Sequence, residues 1–375
     1  MFENIDSGAS NRSTMFVTAL AKLGHVDMIS FLDNELSNVP NCEVIYSKSV
    51  PSVRKSGRWA KLRAALTPWK VNSMYPLNAT KERIIDGYVA AKNYDYVAVR
   101  YVNEAVECGV LKYADRLLLD VDDDPVLAIM QQAKSARTLR NKIFTYIQAI
   151  EVGWIVKSIL KNVHRCYHSN VLQAPCAKSI YLHNIAMNSE ALPDITETTP
   201  MRLLVVGTYH YAPNRDGMNR FLKNIYPIIC KAIPEIELRV VGRIYDVTLK
   251  DEWEKKPNVT LVGYVDDLRM EYENVRMAII PLYSGTGTSI KFIEAVGLNR
   301  VCVTTPQGVR GIDIYLQADE DYLLVNSDAE FAQKIIENIC DVKKCNKIAQ
   351  SAKTKLNRNL SKEKFINIIQ QSVIG

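Results

Sequence analysis

The chain of 375 residues is 47% hydrophobic, 23% charged and 8% aromatic, which is the composition of an ordinary soluble globular protein. These proportions exclude a collagen repeat, a disulfide-stapled miniprotein and a disordered chain, and the length predicts two domains. The net charge of +6 lies wholly in the first half, because residues 1–185 carry 23 Lys and Arg against 17 Asp and Glu, whereas residues 186–375 carry 24 of each class.

The sequence predicts neither a membrane-spanning helix nor an exported protein. No uninterrupted apolar run approaches the roughly 18 to 20 residues that a spanning helix needs. The start, MFENIDSGASNRST, lacks the cationic head and the apolar stretch of a secretory signal. We therefore expect a cytoplasmic protein. Its eight cysteines lie far apart with no CxxC pair, which favours reduced structural thiols over zinc or disulfides.

A basic segment, residues 51–70, interleaves cations with two tryptophans and contains no acid. Cations contact anionic lipid head groups and indole rings lie at the membrane interface, so this pattern favours peripheral contact with an anionic membrane surface. A solvated basic loop is the alternative, and nucleic acid is disfavoured because no nucleic-acid-binding motif accompanies the patch. The predicted membrane contacts are Arg54, Lys55, Arg58, Trp59, Lys61, Arg63, Trp69 and Lys70.

Short apolar runs alternate with amphipathic stretches through the first half of the chain. This alternation predicts a parallel sheet with helices on both faces, formed by an N-terminal domain of residues 1–187. The predicted strands are residues 26–31, 42–47, 96–102 and 117–121, and the predicted helices are residues 10–23, 81–92, 104–113 and much of 125–162.

Residues 188–200 contain two prolines, acids and threonines, and their apolar residues follow neither the helical nor the strand periodicity. We therefore predict a linker there. A second alternating series then defines a C-terminal domain of residues 201–360 and completes an α/β fold. Residues 361–375 are predicted to form a C-terminal helix that could pack back on the N-terminal domain. The predicted strands of the second domain are residues 202–206, 236–241, 259–263, 277–282 and 301–305.

The most informative segment, PLYSGTGTSIKFIEAVG at residues 281–297, joins a strand, a glycine-containing loop and a helix. Gly285 and Gly287 would let the backbone approach a ligand closely, and the free amides of the first helical turn favour an anion such as a diphosphate. Lys291 in this turn is disfavoured by the helix dipole unless an anion is present. Glu294 lies on nearly the same face and could accept hydrogen bonds from sugar hydroxyls. A surface Lys–Glu pair on an ordinary helix is the alternative.

About 110 residues, 202–311, contain five motifs in sequence: VVGTYHYAPNRDGMNRFL, LRVVGR, NVTLVGYVDDLRMEYENVRMAIIPL, SGTGTSIKFIEAVG and VCVTTPQGVRGI. This series resembles the nucleotide-binding domain of GT-B glycosyltransferases of the GT4 type (glycosyl transferases group 1), in the subgroup with a GxGT-x-x-K loop. The resemblance implies two Rossmann-like domains facing a central cleft, a nucleotide diphosphate-sugar donor, transfer with retention of anomeric configuration and no metal or other cofactor.

The resemblance also implies roles for individual residues. Glu294 matches the second glutamate of the family's paired-glutamate motif, which contacts the donor ribose, whereas Thr286 stands where many members have the first glutamate. Lys291 and the loop amides are then the diphosphate ligands, and Arg243, ranked above Arg215, could supply extra positive charge. The predicted donor-binding residues of this domain are Gly207, Arg243, Gly285, Thr286, Gly287, Thr288, Ser289, Lys291 and Glu294.

In the first half the resemblance is looser. Gly8 and Arg12 resemble the family's glycine loop, which approaches donor phosphate and acceptor, although a helix cap is an equal alternative, and the strand expected before this loop is missing. Asp122 or Asp123, at the end of a predicted strand, is expected to face the cleft and to bind the acceptor or activate its hydroxyl as a general base. A turn or helix-cap role is the alternative. Asp120 and Asp122 also match the metal-binding DxD of GT-A enzymes, a fold that the second Rossmann-like half contradicts.

Together these features predict a retaining glycosyltransferase that moves a sugar to a glycan or lipid-linked acceptor at the inner face of the cytoplasmic membrane, in cell-surface polysaccharide biosynthesis. The predicted catalytic residues are Lys291 and Glu294 on the donor side and Asp122 on the acceptor side. Two alternatives stay open. Thr286 permits a non-catalytic sugar-nucleotide-binding subunit, and a sugar-nucleotide epimerase of the same fold would need no acceptor.

Overall fold

The structure, a computed structural model, describes residues 8–32, 39–51, 75–136, 138–170, 176–185 and 190–374. The chain divides into two compact units, residues 1–183 with 362–375 and residues 184–361. Both contain parallel sheets with helices, so the predicted α/β class is confirmed. The part of the predicted linker that the structure describes, residues 190–200, belongs to the second unit, where Leu192 and Ile195 are buried.

The N-terminal unit contains two parallel sheets. One pairs β1 with β2, and the other has the order β3-β4-β5-β6. The run LLLDV makes β4 almost wholly buried, as expected for a strand covered on both faces. In chain order the elements are α1 (Gly8–Ala21), β1 (Val26–Ser30), β2 (Cys42–Ser47), α2 (Ala79–Ala91), β3 (Val97–Arg100), α3 (Val102–Glu107), a 3₁₀ segment (Val110–Arg116), β4 (Leu117–Asp122), α4 (Pro125–Ser135), α5 (Leu139–Asn162), β5 (Arg165–His168) and β6 (Ser179–Tyr181).

The helical region predicted over much of residues 125–162 consists of two helices, α4 and α5. Asp124 caps α4 by accepting a hydrogen bond from the amide of Val126, and Pro125 occupies the first helical position. Thr138 then caps α5 through the amide of Asn141 at 3.2 Å, so a new helix begins there. Local side-chain bonds to backbone amides thus divide a segment whose periodicity is continuous.

Among the described residues, α5 is the helix that is long and apolar enough to cross a membrane, judged by length and composition alone. About a third of its most apolar 18-residue stretch is buried inside the protein. Glu151 and Lys157 interrupt the apolar residues of this helix, so no unbroken apolar run marks it in the sequence. These features are also those of a core helix in a soluble protein.

The C-terminal unit is a doubly wound sheet of six parallel strands in the order β9-β8-β7-β10-β11-β12. Apolar side chains cover both faces of the sheet. Its elements are β7 (Arg202–Val206), α6 (Ala212–Arg220), a π-helical turn (Phe221–Ile225), α7 (Tyr226–Ala232), β8 (Glu237–Val241), α8 (Val247–Glu254), β9 (Val259–Gly263), α9 (Arg269–Glu273), β10 (Met277–Ile280), α10 (Ile290–Gly297), β11 (Val301–Thr304), α11 (Pro306–Val309), β12 (Leu323–Leu324), α12 (Asp328–Asn338) and α13 (Val342–Asn359).

The last helix, α14 (Lys362–Ile374), belongs to the N-terminal unit. It is held there by Tyr96, whose hydroxyl donates to the carbonyl of Val373 at 2.8 Å, and by Tyr167, whose hydroxyl lies 2.7 Å from that of Ser372.

Candidate functional site

The strand order of the C-terminal unit reverses at β7, which has β8 on one side and β10 on the other. In open α/β sheets, ligands bind outside the carboxyl ends of the strands at this switch point. The loops that follow β7 and β10 leave the sheet there. The first contains Gly207 and the second contains the GTGT segment, so the topology brings two predicted donor-binding segments to one edge.

Two glycines hold the strand ends close together at this edge. A Cβ atom at Gly242 would lie 1.7 Å from the carbonyl oxygen of Gly207, and its φ of +127° lies in a region that other residues rarely adopt. A Cβ at Gly207 would lie 3.4 Å from the Nζ of Lys291 and 3.0 Å from the Nδ2 of Asn214. The absence of a side chain at Gly207 therefore leaves the lysine ammonium beside bare backbone.

Lys291 lies in the first turn of α10 and is half-buried. Its ammonium donates to Asn214 Oδ1 at 2.6 Å and, within the described residues, has no carboxylate within ion-pair distance. Burial lowers the pKa of Lys291 to about 8, against the attraction of Glu294. Burial likewise raises the pKa of Glu294 to about 7, against the attraction of Lys291. Because no described carboxylate pairs with this half-buried ammonium, an anionic ligand would stabilise its charge.

The N-terminus of α10 is open to such a ligand. Its first turn contains no acid, and Ser289 at the N-cap position makes no side-chain capping bond. The Ser289 hydroxyl is buried, and it finds no hydrogen-bond partner among the residues that the structure describes. A buried hydroxyl without a partner is costly, so a ligand oxygen at this position would be favourable.

The loop before α10 is fixed by residues that follow β11. Gln307 donates from Nε2 to the carbonyl of Gly285 at 2.7 Å, and Arg310 donates from Nη2 to that of Gly287 at 3.2 Å. Gly285 has a φ of +125°, while Thr286 is buried in the same loop. Gln307, Arg310 and Asn214 are site residues that sequence reasoning missed. The signal that could have found them is their position, since they follow the carboxyl ends of β11 and β7 by three to eight residues.

Arg243 follows β8, the neighbour of β7. Its guanidinium lies over the ring of Tyr264, 4.4 Å from the centroid, and its carbonyl accepts from the amide of Tyr209 at 3.1 Å. Arg215, the lower-ranked alternative, pairs with the adjacent Asp216 at 3.1 Å. Among the described residues, neither arginine shares a hydrogen bond or an ion pair with Lys291, so their donor-binding roles stay predictions.

Comparison with known proteins identifies the family. Residues 200–341 match the model described as glycosyl transferases group 1. A curated relative, an uncharacterized 44.6 kDa protein in the cps region of Klebsiella pneumoniae, is 22% identical over 296 residues, covering 75% of each chain. Over residues 200–341 the chain is of the group 1 glycosyltransferase type, and its fold is that of the GT-B glycosyltransferases. The resemblance seen in the sequence is thus confirmed.

Solved structures support the fold of this glycosyltransferase over nearly its whole length. Sucrose-phosphate synthase from Thermosynechococcus elongatus matches with a TM-score of 0.69 at 15% identity, covering 97% of this chain and 92% of that one. HepE from Anabaena, in complex with UDP and glucose, matches with 0.64 at 11% identity, covering 98% and 97%. WaaG, a glycosyltransferase involved in lipopolysaccharide biosynthesis, matches with 0.59 at 14% identity, covering 97% and 96%.

In the N-terminal unit of the glycosyltransferase, Arg12 is 2% exposed and bonded inside the protein. Its Nε and Nη2 donate to Asp120 at 2.8 and 2.7 Å, and its Nη1 donates to the carbonyl of Leu182 at 2.7 Å. These bonds direct the guanidinium toward Asp120 and Leu182, which disfavours the predicted contact with donor phosphate. Gly8 is the first residue of α1.

Asp122 lies at the end of β4 with a φ of 63°, at a shift in register between β4 and β5. It pairs with Arg100 and lies 3.5 Å from the Nε of Arg12. Burial raises the pKa of Asp122, but the charges of Arg12 and Arg100 outweigh it and hold that pKa below its usual range. A carboxylate that binds protons weakly is a poor general base. The predicted contact with an acceptor is not tested by this arrangement and stays a prediction.

The same arginines face both carboxylates of the DxD match. Asp120 accepts a hydrogen bond from Arg12 and lies 3.3 Å from the Nε of Arg100, so positive charge from the protein already faces the two carboxylates.

The predicted membrane contacts between residues 54 and 70 lie outside the described residues.

Proposed function

We propose that this glycosyltransferase uses a nucleotide diphosphate-sugar as donor and binds its diphosphate at the N-terminus of α10. The observation that carries the proposal is Lys291, a half-buried ammonium at the switch point with no ion-pair partner among the described residues. The open helix N-terminus and the unpartnered hydroxyl of Ser289 lie in the same segment. HepE and TarM, which share the fold, are both described with UDP bound.

In this proposal, negative charge that develops on the leaving diphosphate is stabilised by Lys291, the loop amides and the dipole of α10. Glu294, one turn along the helix, accepts hydrogen bonds from the ribose hydroxyls and fixes the nucleotide. Transfer proceeds with retention of anomeric configuration and without a metal. Thr286 occupies the position at which many family members contact the sugar through a glutamate, so this chain holds the sugar by other groups.

A thermal-shift series tests donor binding. The full chain is heated with UDP, GDP, ADP and their common sugar conjugates, with and without EDTA, and the series is repeated on Glu294→Ala. We expect one base to stabilise the protein without metal and Glu294→Ala to weaken the effect. Stabilisation without sugar transfer to any glycan acceptor would favour the non-catalytic subunit. Conversion of the donor to its epimer without an acceptor would favour the epimerase.

The acceptor in this proposal is a glycan or lipid-linked glycan of cell-surface polysaccharide synthesis, reached by the cytoplasmic protein at an anionic membrane surface. The cps-region relative supports the pathway class. Helix α5 supports the membrane surface, because five large apolar side chains three or four residues apart form one exposed stripe on it. They are Leu139, Ile143, Ile147, Ile150 and Trp154.

The charges of α5 suit the same surface. Lys157 and Lys161 continue the stripe by the same spacing, and Arg140 and Lys142 lie near its start, all four exposed. An amphipathic helix with apolar and cationic side chains lies in the plane of a membrane interface rather than across it. The opposite face of α5 is committed to the protein core, where Val152 and Ile155 are buried.

A further inference from the structure

Two of the eight cysteines lie side by side in the N-terminal unit. Cys166 is the second residue of β5, and Cys176 lies in the turn before β6, where its carbonyl accepts a hydrogen bond from the amide of Ser179 at 3.0 Å. The two sulfur atoms are 3.9 Å apart. A disulfide has an S–S distance of about 2.05 Å, so the sulfurs need to move about 2 Å closer to form one.

Ser179 contacts both thiols. It is in register with Cys166 on the neighbouring strand, and its Oγ is 3.3 Å from each sulfur. No third histidine, cysteine or carboxylate among the described residues has a ligand atom within 4.8 Å of both sulfurs. Structural zinc is held by about four such side chains. The pair is therefore suited to bonding its own sulfurs rather than to binding a metal.

The two thiols differ in their surroundings. Cys166 is wholly buried, and burial raises its pKa to about 12. Cys176 is half-buried. Burial raises the pKa of Cys176, but hydrogen bonds from the Ser179 hydroxyl and the Lys178 amide outweigh it and hold that pKa below its usual range. The thiolate is the reactive form of cysteine, so Cys176 is the thiol that reacts first.

We propose that Cys166 and Cys176 form a reversible disulfide on exposure to a peroxide. The Cys176 thiolate attacks one oxygen of hydrogen peroxide, the O–O bond breaks, and Cys176 becomes a sulfenic acid. The other oxygen leaves as hydroxide and takes up the proton that Cys176 gave up. The Cys166 sulfur then attacks the Cys176 sulfur, the S–O bond breaks, and the hydroxyl leaves as water with the proton of Cys166. Two electrons thus pass from the two thiols to the peroxide.

Ser179 assists both steps. Its hydroxyl donates to the Cys176 thiolate in the first step. In the second step it lies within reach of the sulfur that loses a proton and of the sulfur that carries the leaving hydroxyl. Because Ser179 acts through the two sulfurs, it is a positioning residue. The proposal does not depend on the function proposed above.

Peptide mapping of the full chain tests this directly. Trypsin cleavage after Arg165 and Lys178 releases one peptide, CYHSNVLQAPCAK, which contains both cysteines and no other. The protein is treated with a small excess of hydrogen peroxide, and its free thiols are then trapped with iodoacetamide. We expect this peptide to lose two hydrogen atoms and to carry no alkyl group. Dithiothreitol added before the iodoacetamide should restore two alkylated cysteines.

Cys230 is the internal control, because it is half-buried like Cys176 but burial raises its pKa. At neutral pH we expect iodoacetamide to label Cys176 about tenfold or more faster than Cys230. In Cys166→Ala, peroxide should leave on Cys176 a sulfenic acid that dimedone traps. Ser179→Ala should move the midpoint of Cys176 labelling to higher pH, whereas Ser179→Thr, which keeps the hydroxyl, should not.

Three results would overturn the proposal. Alkylation of both cysteines after peroxide treatment would show that the pair does not oxidise. Sulfinic or sulfonic acid on Cys176, with Cys166 still alkylated, would show that the buried thiol does not complete the disulfide. Equal labelling rates of Cys176 and Cys230 would show that the hydrogen bonds around Cys176 do not activate its sulfur.

Discussion

The Nζ of Lys291 donates to the Oδ1 of Asn214 at 2.6 Å, joining the first turn of α10 to α6 across the carboxyl end of β7. Asn214 also donates from Nδ2 to the carbonyl of Thr208 at 3.0 Å, so its amide is oriented by the loop after β7. The asparagine therefore presents its oxygen to the lysine and holds the ammonium next to Gly207. A neutral partner fixes the cation in place without neutralising it.

Replacement of Lys291 by Met should weaken nucleoside diphosphate binding about 10- to 100-fold, the range expected from losing a hydrogen bond to a charged group. Titration calorimetry with UDP, GDP and ADP measures this. Lys347→Met, at an exposed position of α13, is the matched control and should bind as the parent does. Equal affinities in all three proteins would remove Lys291 from the donor site.

The pH dependence of binding follows from the same lysine. The pKa of Lys291 is lowered to about 8 in the free protein, and a bound diphosphate favours the charged ammonium and raises it again. Affinity should therefore be highest below pH 8 and fall as the pH rises above 8, because binding must then take up a proton. In Lys291→Arg the affinity should stay level to pH 10, since arginine stays protonated. Identical profiles for the two proteins would contradict this assignment.

The close approach of two strands predicts an unequal response to two glycine substitutions. Gly242→Ala places a Cβ 1.7 Å from the carbonyl oxygen of Gly207, whereas Gly263→Ala, at a φ of +81°, has open space around its Cβ. We expect Gly263→Ala to lower the free energy of unfolding by roughly 1 to 2 kcal/mol from backbone strain alone. Gly242→Ala should lose considerably more, together with nucleotide binding, in urea unfolding and calorimetry. Equal losses would show that the contact can relax.

Arg12 should prove structural rather than donor-binding. Arg12→Met leaves Asp120 buried and without its main partner, at a cost of about 3 to 5 kcal/mol in unfolding free energy. The affinity of the folded fraction for nucleoside diphosphate should be unchanged. The double variant with Asp120→Asn should recover part of the stability, because both charges are then removed. Weaker nucleotide binding by Arg12→Met at an unchanged free energy of unfolding would show that Arg12 contributes to donor binding.

The exposed stripe on α5 should mediate membrane contact. The double variant Ile143→Glu with Ile147→Glu should reduce sedimentation with phosphatidylglycerol vesicles severalfold. It should also abolish the blue shift of tryptophan emission that vesicles cause. Loss of the same blue shift in Trp154→Phe would assign it to the tryptophan of the stripe. Leu127→Glu, at a less exposed position of α4, serves as control and should retain binding. Unchanged sedimentation of the double variant would show that the stripe on α5 does not bind the membrane. Replacing the cations of residues 51–70 by Gln tests the other predicted contact separately.

Local patterns in the sequence determined much of this protein. Nine of the twelve described strands fall within the predicted apolar runs, with β4 one residue longer, whereas the short strands β5, β6 and β12 lie outside them. The loop from Gly285 to Lys291 was identified from its glycines and the helix that follows. Periodicity, caps and glycines act over a few residues, so a single stretch of sequence records them. The break at Thr138 within the predicted helical region of residues 125–162 shows the limit, because a new helix begins there at a capping bond that the periodicity does not reveal.

The tertiary structure alone decided which distant residues meet. Asn214 lies 77 positions before Lys291, and Arg12 lies 108 positions before Asp120, yet each pair is in hydrogen-bond contact. No local pattern specifies such pairs, because strand order in the sheet determines which loop ends are neighbours. The same long-range order bonded Arg12 to Asp120 and Leu182 inside the N-terminal unit, since side chains find distant partners only once the sheet is assembled.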